Sequence, residues 1–259
     1  MKNPLKMFKS SPKVAVIRLV GAIGTGRNSL TDAALAPLIE KAFAKGKLKA
    51  VVLQINSPGG SPTQSALIAA RIRRLAAEKE LPVFAFVEDV AASGGYWLAT
   101  AADEIFADDN SVLGSIGVIS GGFGFQDLIK AHGVERRVHT AGESKSMMDP
   151  FRAEKPEDIE RLEGVLGQIH QNFIAQVKGR RGDKLKGDDL FTGEIWIGQA
   201  AVDNGLIDGI GHMVPVMKER FGDEVDFKVY GQKKGLLSRF GATILAQIEE
   251  RSLWARFGL

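Results

Sequence analysis

The chain has no cysteine. Disulfides, cysteine-ligated metals and a cysteine nucleophile are therefore excluded, although that absence alone does not fix the compartment. Long apolar runs are also missing. No window reaches the ~18 apolar residues of a membrane-spanning helix. The polar start, with Lys2, Lys6, Lys9 and Lys13, lacks the ~7–15 continuous apolar residues of a secretory signal. Charge of one sign is scarce. A formal net charge of +3 over 259 residues gives no ground to expect a nucleic-acid partner. The phosphate-cradling patterns G-x-x-x-x-G-K-[ST] and G-x-G-x-x-G are absent. Histidine is sparse as well. His132 and His212 lie beside glycines in apparent loops, His139 lies on an apparent strand and His170 on a long helical pattern, and none is in a site-like setting. Internal repeats and low-complexity linkers are lacking. The expectation is a soluble, non-exported chain.

What is present is a repeated strand–helix order. Val14–Val20, Ala50–Ile55, Pro82–Val87 and Glu104–Ala107 are short, apolar and rich in β-branched residues. Such runs suit parallel strands covered on both faces. Helical spacing appears over 29–45, with Pro37 inside it, and over 63–78. A long amphipathic helix is predicted over Pro156–Arg181, its acidic start complementing the helix dipole. A short helix is predicted over Asp127–His132 and further strands over Val134–His139 and Val225–Tyr230. The fold class is therefore α/β, layered, with a mainly parallel sheet and flanking helices. Three parts are expected: a basic segment at 1–12, one domain over 13–230, and an amphipathic tail at 231–259. That tail, with Leu237, Phe240, Ile244, Leu245 and Ile248 at helical spacing and then Leu253, Trp254 and Phe257, must dock on the body, a partner subunit or a membrane surface.

Two glycine-rich turns fall at the carboxyl ends of strands, where ligands sit in open α/β sheets. One is Asn56-Ser57-Pro58-Gly59-Gly60, the other Ala91-Ala92-Ser93-Gly94-Gly95-Tyr96-Trp97. Ser93 reads either as the N-cap of the helix that follows or as a nucleophile held at a strand–helix turn. A nucleophilic hydroxyl needs a base. With no histidine in a site-like setting, the other activator is a lysine kept as a neutral amine by desolvation. Lys145 is flanked by small polar residues in a loop that closes with Met147-Met148-Asp149-Pro150-Phe151. It reads either as that base or as an ordinary surface lysine. Gly60 and Gly94 could present two N–H donors to a developing oxyanion; the alternative is a pair of ordinary turns.

N-S-P-G-G, A-S-G-G-Y, then G-S-I-G-V at 114–118, an A-G-x-x-K-S loop at 141–146, and F-T-G-x-x-W-x-G-x-x-A-x-x-x-G-L-I-D-x-I-G from Phe191 to Gly211 occur in that order. Together they resemble the signal peptide peptidase A family of serine peptidases, family S49, which includes the SohB-like proteins. The resemblance runs from about Val14 to about Gly211. It implies a Clp protease/crotonase-like fold, Ser93 as nucleophile, Lys145 as general base, Gly60 in the oxyanion hole with Gly94, and Ser115 as the residue that orients the lysine. It implies no metal and no cofactor. It also implies hydrophobic peptides such as remnant signal peptides as substrates, and a ring- or dome-like homo-oligomer in which serine and lysine can meet across subunits. A bacterial location, cytoplasmic or peripheral to the cytoplasmic membrane with contact through the chain ends, is expected. The sequence departs from the family pattern in lacking an N-terminal membrane anchor and in placing Glu143 near Lys145, where it is expected to face solvent. Two alternatives stand beside this reading: a crotonase-like acyl-CoA enzyme, and a non-catalytic scaffold of peptidase fold at a membrane.

Overall fold

β1 (Lys13–Val20), β2 (Leu48–Ser57) and β3 (Val83–Ala92) lie side by side and parallel. They do so because a helix returns the chain after each of the first two: α1 (Asp32–Phe43) and α2 (Pro62–Lys79). Thr31 caps α1 and Ser61 caps α2, each accepting a backbone N–H of the first turn. Pro37 lies inside α1, which continues through it to Phe43. The structure is a computed structural model, and it describes residues 11–24, 29–44, 46–142, 144–232 and 254–257.

The chain forms two compact units. The first is Met1–Ile116 with Ile174–Leu259, the second Gly117–Phe173. In the first, a short helix α3 (Gly94–Ala99) follows β3, then come β4 (Glu104–Ala107) and β5 (Val112–Gly114). Later strands β6 (Ile195–Ile197), β7 (Gly209–Ile210) and β8 (Asp226–Tyr230) complete an eight-stranded sheet of order β6-β5-β3-β2-β1-β8, with β4 and β7 branching from β3. Among the described strands only the β5–β6 pair is antiparallel. The first half of β3 pairs with β4, through Val87, and the second half with β5, from Val90. Against β2 the register jumps between the Ile55–Val87 and Ser57–Ala91 pairs, so β3 carries a bulge around Glu88 and Asp89.

Val14, Val16, Ala50, Val52, Phe84 and Phe86 fill one face of the sheet under a helix over Met213–Phe221. On the other face α1 packs on β1 and β2, α3 packs on β2 and β3, and α2 packs against both helices. Trp254 and Phe257 pack against Val90, Ala92 and Val112, so this part of the tail docks on the chain's own body. The rest of the predicted tail helix and most of the basic N-terminal segment lie outside the described residues.

One buried brace ties the sheet to the end of the long helix α5 (Pro156–Arg181). Arg181, 4% exposed, donates to the Asp208 carboxylate at 2.7 Å and to the Gly205 carbonyl. Asp208 also takes the Ile105 N–H and the Lys184 ammonium. Burial pushes the Asp208 carboxyl up, but the hydrogen bonds from Arg181, Lys184 and Ile105 outweigh it, and the group titrates below its ordinary value. Its stabilisation is therefore complete above the normal carboxylate range, ~4, and is lost as pH falls through the lowered folded-state value. Asp208→Asn leaves Arg181 buried without its counter-charge. Urea unfolding at neutral pH should show a loss of about 3 kcal/mol, and the difference from the parent chain should shrink in acid.

In the second unit, α4 is Gln126–Ala131 and fully buries none of its residues. The strand expected over Val134–His139 is absent: these residues are irregular and mostly exposed, with no neighbouring strand to pair with. Instead Phe123, Phe125 and Phe151 form a line of ring contacts, and Arg136 lies over Phe151 while bonding Asp149 at 3.2 Å.

Candidate functional site

The turn after β3 departs from the cap geometry that its sequence suggests. Ser93 has φ 51° and ψ −123°, and its hydroxyl makes no capping hydrogen bond to α3. A left-handed φ at a non-glycine residue costs roughly 1–3 kcal/mol and persists only where its surroundings enforce it. They do so here. The Ser93 N–H donates to Gly114 O at 2.8 Å, and the Ser93 carbonyl accepts from Trp97 at 3.0 Å. Tyr96, fully buried in the same helix, donates its hydroxyl to Leu206 O at 2.7 Å. A strained serine between strand and helix, half-buried with an uncommitted hydroxyl, has the form of a nucleophile elbow.

Glycines hold a second turn against it. A Cβ on Gly59 would stand 2.7 Å from Ala92 O and 2.8 Å from both Gly94 N and Ser93 Cβ. One on Gly95 would stand 2.3 Å from Ser57 O, and one on Gly94 2.4 Å from Ser65 Oγ. Only hydrogen permits this approach. The loop after β1 forms a third wall: Ile23 N–H donates to Gly59 O, and Ser61 N–H donates to Ile23 O, both at 2.8 Å. A Cβ on Gly94 would be 3.4 Å from Gly60 N, so the Gly60 and Gly94 amides are close neighbours. Among the described residues neither N–H has an acceptor. Two free amides beside a strained serine can stabilise negative charge on a carbonyl oxygen.

The structure thus brings Ser93, Gly60 and Gly94 together. It also adds Gly59, Ser65 and Ile23, which motif reasoning left out. Gly59 was visible within N-S-P-G-G. Ile23 carried no signal, because its part is played by backbone groups. Ser115, half-buried after β5, is the other left-handed residue of this unit near the turn, with φ 49°. Its N–H donates to Glu194 O at 2.7 Å, and Gly114 just before it is the acceptor for Ser93.

Lys145 belongs to the second unit. It lies exposed in a turn, its N–H donating to Gly142 O at 3.3 Å. That turn is fixed downstream by Asp149, whose carboxylate accepts the Phe151 N–H and an Arg136 bond; those contacts hold it below the usual carboxylate range. Glu143 lies outside the described residues. Among the described residues no group of three histidine, aspartate or glutamate side chains could hold a metal ion.

The family whose model matches is peptidase family S49, over residues 76–221. The Na(+)/H(+) antiporter NhaA of Brucella melitensis is 49% identical over 282 residues, covering 99% of this chain and 38% of that protein. Protease 4 of Haemophilus influenzae is 35% identical over 82% of this chain and 35% of its own length. The putative signal peptide peptidase SppA of Enterococcus faecium is 36% identical over 64% of this chain and 48% of its own length. The chain therefore spans between about a third and a half of these relatives. Among solved structures, a membrane-bound stomatin-specific protease with one serine replaced by alanine superposes with a TM-score of 0.53 at 15% identity, over 88% of this chain and all of that one. The same protease with a lysine replaced by alanine, in complex with a substrate peptide, gives 0.53 at 13% identity over 95% and 99%. At that identity the likeness establishes the fold, the layered α/β architecture with a mostly parallel sheet.

Proposed function

The chain belongs to peptidase family S49; from that premise we propose that it is a serine peptidase with Ser93 as its nucleophile and Lys145 as its general base. The acyl-CoA alternative falls with the family assignment. The observation that carries the proposal is the Ser93 backbone, strained to free its hydroxyl beside two amides without acceptors. The two residue types replaced in the solved neighbour, a serine and a lysine, are those assigned here.

In this mechanism the neutral Lys145 amine takes the Ser93 Oγ proton as Oγ attacks the peptide carbonyl. The oxyanion forms on the Gly60 and Gly94 N–H groups, which are in place before charge develops. Lys145, now an ammonium, gives its proton to the leaving amine. Water then enters, loses a proton to Lys145 and attacks the acyl group; Lys145 returns that proton to Ser93 Oγ as the acid leaves, which restores both residues. Ser115 orients the lysine amine. Substrates are apolar peptides, including remnant signal peptides. Exposed Ile119, Phe123, Leu128 and Val134 of the second unit fit a homo-oligomer, in which serine and lysine can come from different subunits. No described helix is long and apolar enough to cross a membrane, and the transport named in the Brucella relative is not assigned to this chain.

The test is hydrolysis of an apolar peptide by the parent chain and by Lys145→Ala. Loss of the base should lower kcat by about 10²–10⁴-fold. Unchanged turnover in Lys145→Ala overturns the dyad.

A further inference from the structure

A cavity of about 470 Å³ opens on the sheet face that carries the helix over Met213–Phe221. Its size falls within the ~300–1,000 Å³ of small-ligand pockets. Phe86, Val112 and Met213 give it an apolar floor, and Glu88, Asp89 and Asp108 place three carboxyl groups on its wall. Among the described residues no lysine or arginine lines it. Each acid is held by a neutral or weakly basic partner: Glu88 by the Gln54 amide at 2.6 Å, Asp89 by the Asn56 amide at 2.5 Å, Asp108 by His212 at 2.8 Å. Bonds from His212 and from Asn110 bring the Asp108 carboxyl down to about 2, so it is anionic at any working pH. The acids do not converge as metal ligands would. An apolar floor under spread, uncompensated negative charge suits a flexible alkyl chain with a cationic end.

The cavity is also connected to the chemistry. Glu88 and Asp89 form the β3 bulge, and the same strand runs on to Ser93. Val112 begins β5, whose last residue, Gly114, accepts the Ser93 N–H. We propose that this cavity is a substrate subsite for a basic residue, a lysine or arginine whose alkyl stem lies on Phe86, Val112 and Met213 and whose charge faces Glu88, Asp89 and Asp108. The proposal rests on the peptidase reading above and narrows its substrate class to apolar peptides flanked by a basic residue. The positively charged segment ahead of the apolar core of a secretory signal has that composition. Because the bulge makes four residues of β3 advance by only two, Glu88 and Asp89 lie about three extended residues, ~10 Å, from Ser93, and place the basic residue about three residues from the bond cleaved.

The test uses two fluorescein-labelled apolar peptides that differ in one residue, lysine or its uncharged isostere norleucine, placed about three positions from the bond cleaved. Their binding to full-length Ser93→Ala is read by fluorescence anisotropy, and their hydrolysis by the parent chain is read separately. The lysine peptide should bind at least tenfold more tightly, and the preference should fall below twofold in Ser93→Ala carrying Glu88→Gln and Asp89→Asn. Equal binding of the two peptides to Ser93→Ala overturns the subsite without any need for the triple variant to fold. A preference that survives in a folded triple variant, checked by circular dichroism, also overturns it. If both peptides are hydrolysed alike and bound alike, the subsite fails and the peptidase reading stands. If the lysine preference is present but neither peptide is hydrolysed by the parent, the cation site stands and the catalytic assignment fails.

Discussion

Ser93→Gly is expected to abolish peptide hydrolysis while making the chain more stable. Removal of a serine nucleophile lowers kcat by a factor on the order of 10⁴–10⁶ in well-formed sites, because the base and the oxyanion donors are left with no atom to act on. Labelling by a fluorophosphonate should vanish in the same variant. The stability half of the expectation comes from the backbone. Ser93 sits at φ 51°, where glycine pays no steric penalty, and its hydroxyl makes no capping bond that the substitution would lose. Relief of strain should raise the unfolding free energy by about 1 kcal/mol, the opposite of what removal of a helix cap would give. Ser93→Ala keeps the strain and should lose activity equally with no gain in stability. Turnover that survives in either variant would refute the assignment, and a glycine variant of lower stability would refute the strain.

The second large effect is expected at Gly60. Its φ of +138° is unfavourable for any L side chain, and a Cβ there would stand 1.9 Å from Ile23 O. The loop after β1 would have to move, and the Gly60 N–H would lose its alignment with that of Gly94. Gly60→Ala should cost about 3 kcal/mol of stability and lower kcat on the order of 10²–10³-fold, the loss associated with one oxyanion donor. Gly167→Ala is the control. It lies exposed within α5, with nothing within 4 Å of the added methyl, and should stabilise by up to ~1 kcal/mol through helix propensity alone. Thermal melts and initial rates on one apolar peptide separate the two. A Gly60→Ala chain with the parent's rate would remove that amide from the proposed hole.

Much of the frame was legible because its signals are local. Apolar runs marked β1 and β4, and the periodicity of α5 marked its full extent, Pro156–Arg181. β2 and β3 were read too short, because Asn56, Ser57, Glu88 and Asp89 are polar and a strand's polar end looks like a loop. The helix over Met213–Phe221 was missed: it is nine residues long, Pro215 lies within it, and its apolar side is set by the sheet it covers. The spurious strand over Val134–His139 had the composition of a strand but no partner, and pairing cannot be seen in a single segment. At the site, residue types were legible in the motifs and approach distances were not. Nothing in N-S-P-G-G says that Gly59 must touch Ser93, because that contact depends on where two strands end relative to each other.

The β3 bulge turns that relation into a matter of chain length. Between the Ile55–Val87 and Ser57–Ala91 pairs, β3 spends four residues where β2 spends two. An even excess keeps the alternation of faces, so Ala91 stays on the side of Val87 and Ser93 follows in phase. Deleting one residue from 88–90 would turn the nucleophile to the opposite face of the sheet. Deleting two would restore the phase and remove the bulge, pairing β3 with β2 residue for residue and leaving Ser93 where it stands against the turn after β2. The register of Ser93 therefore does not depend on the two added residues; what the bulge adds is Glu88 and Asp89, two of the acids on the cavity wall.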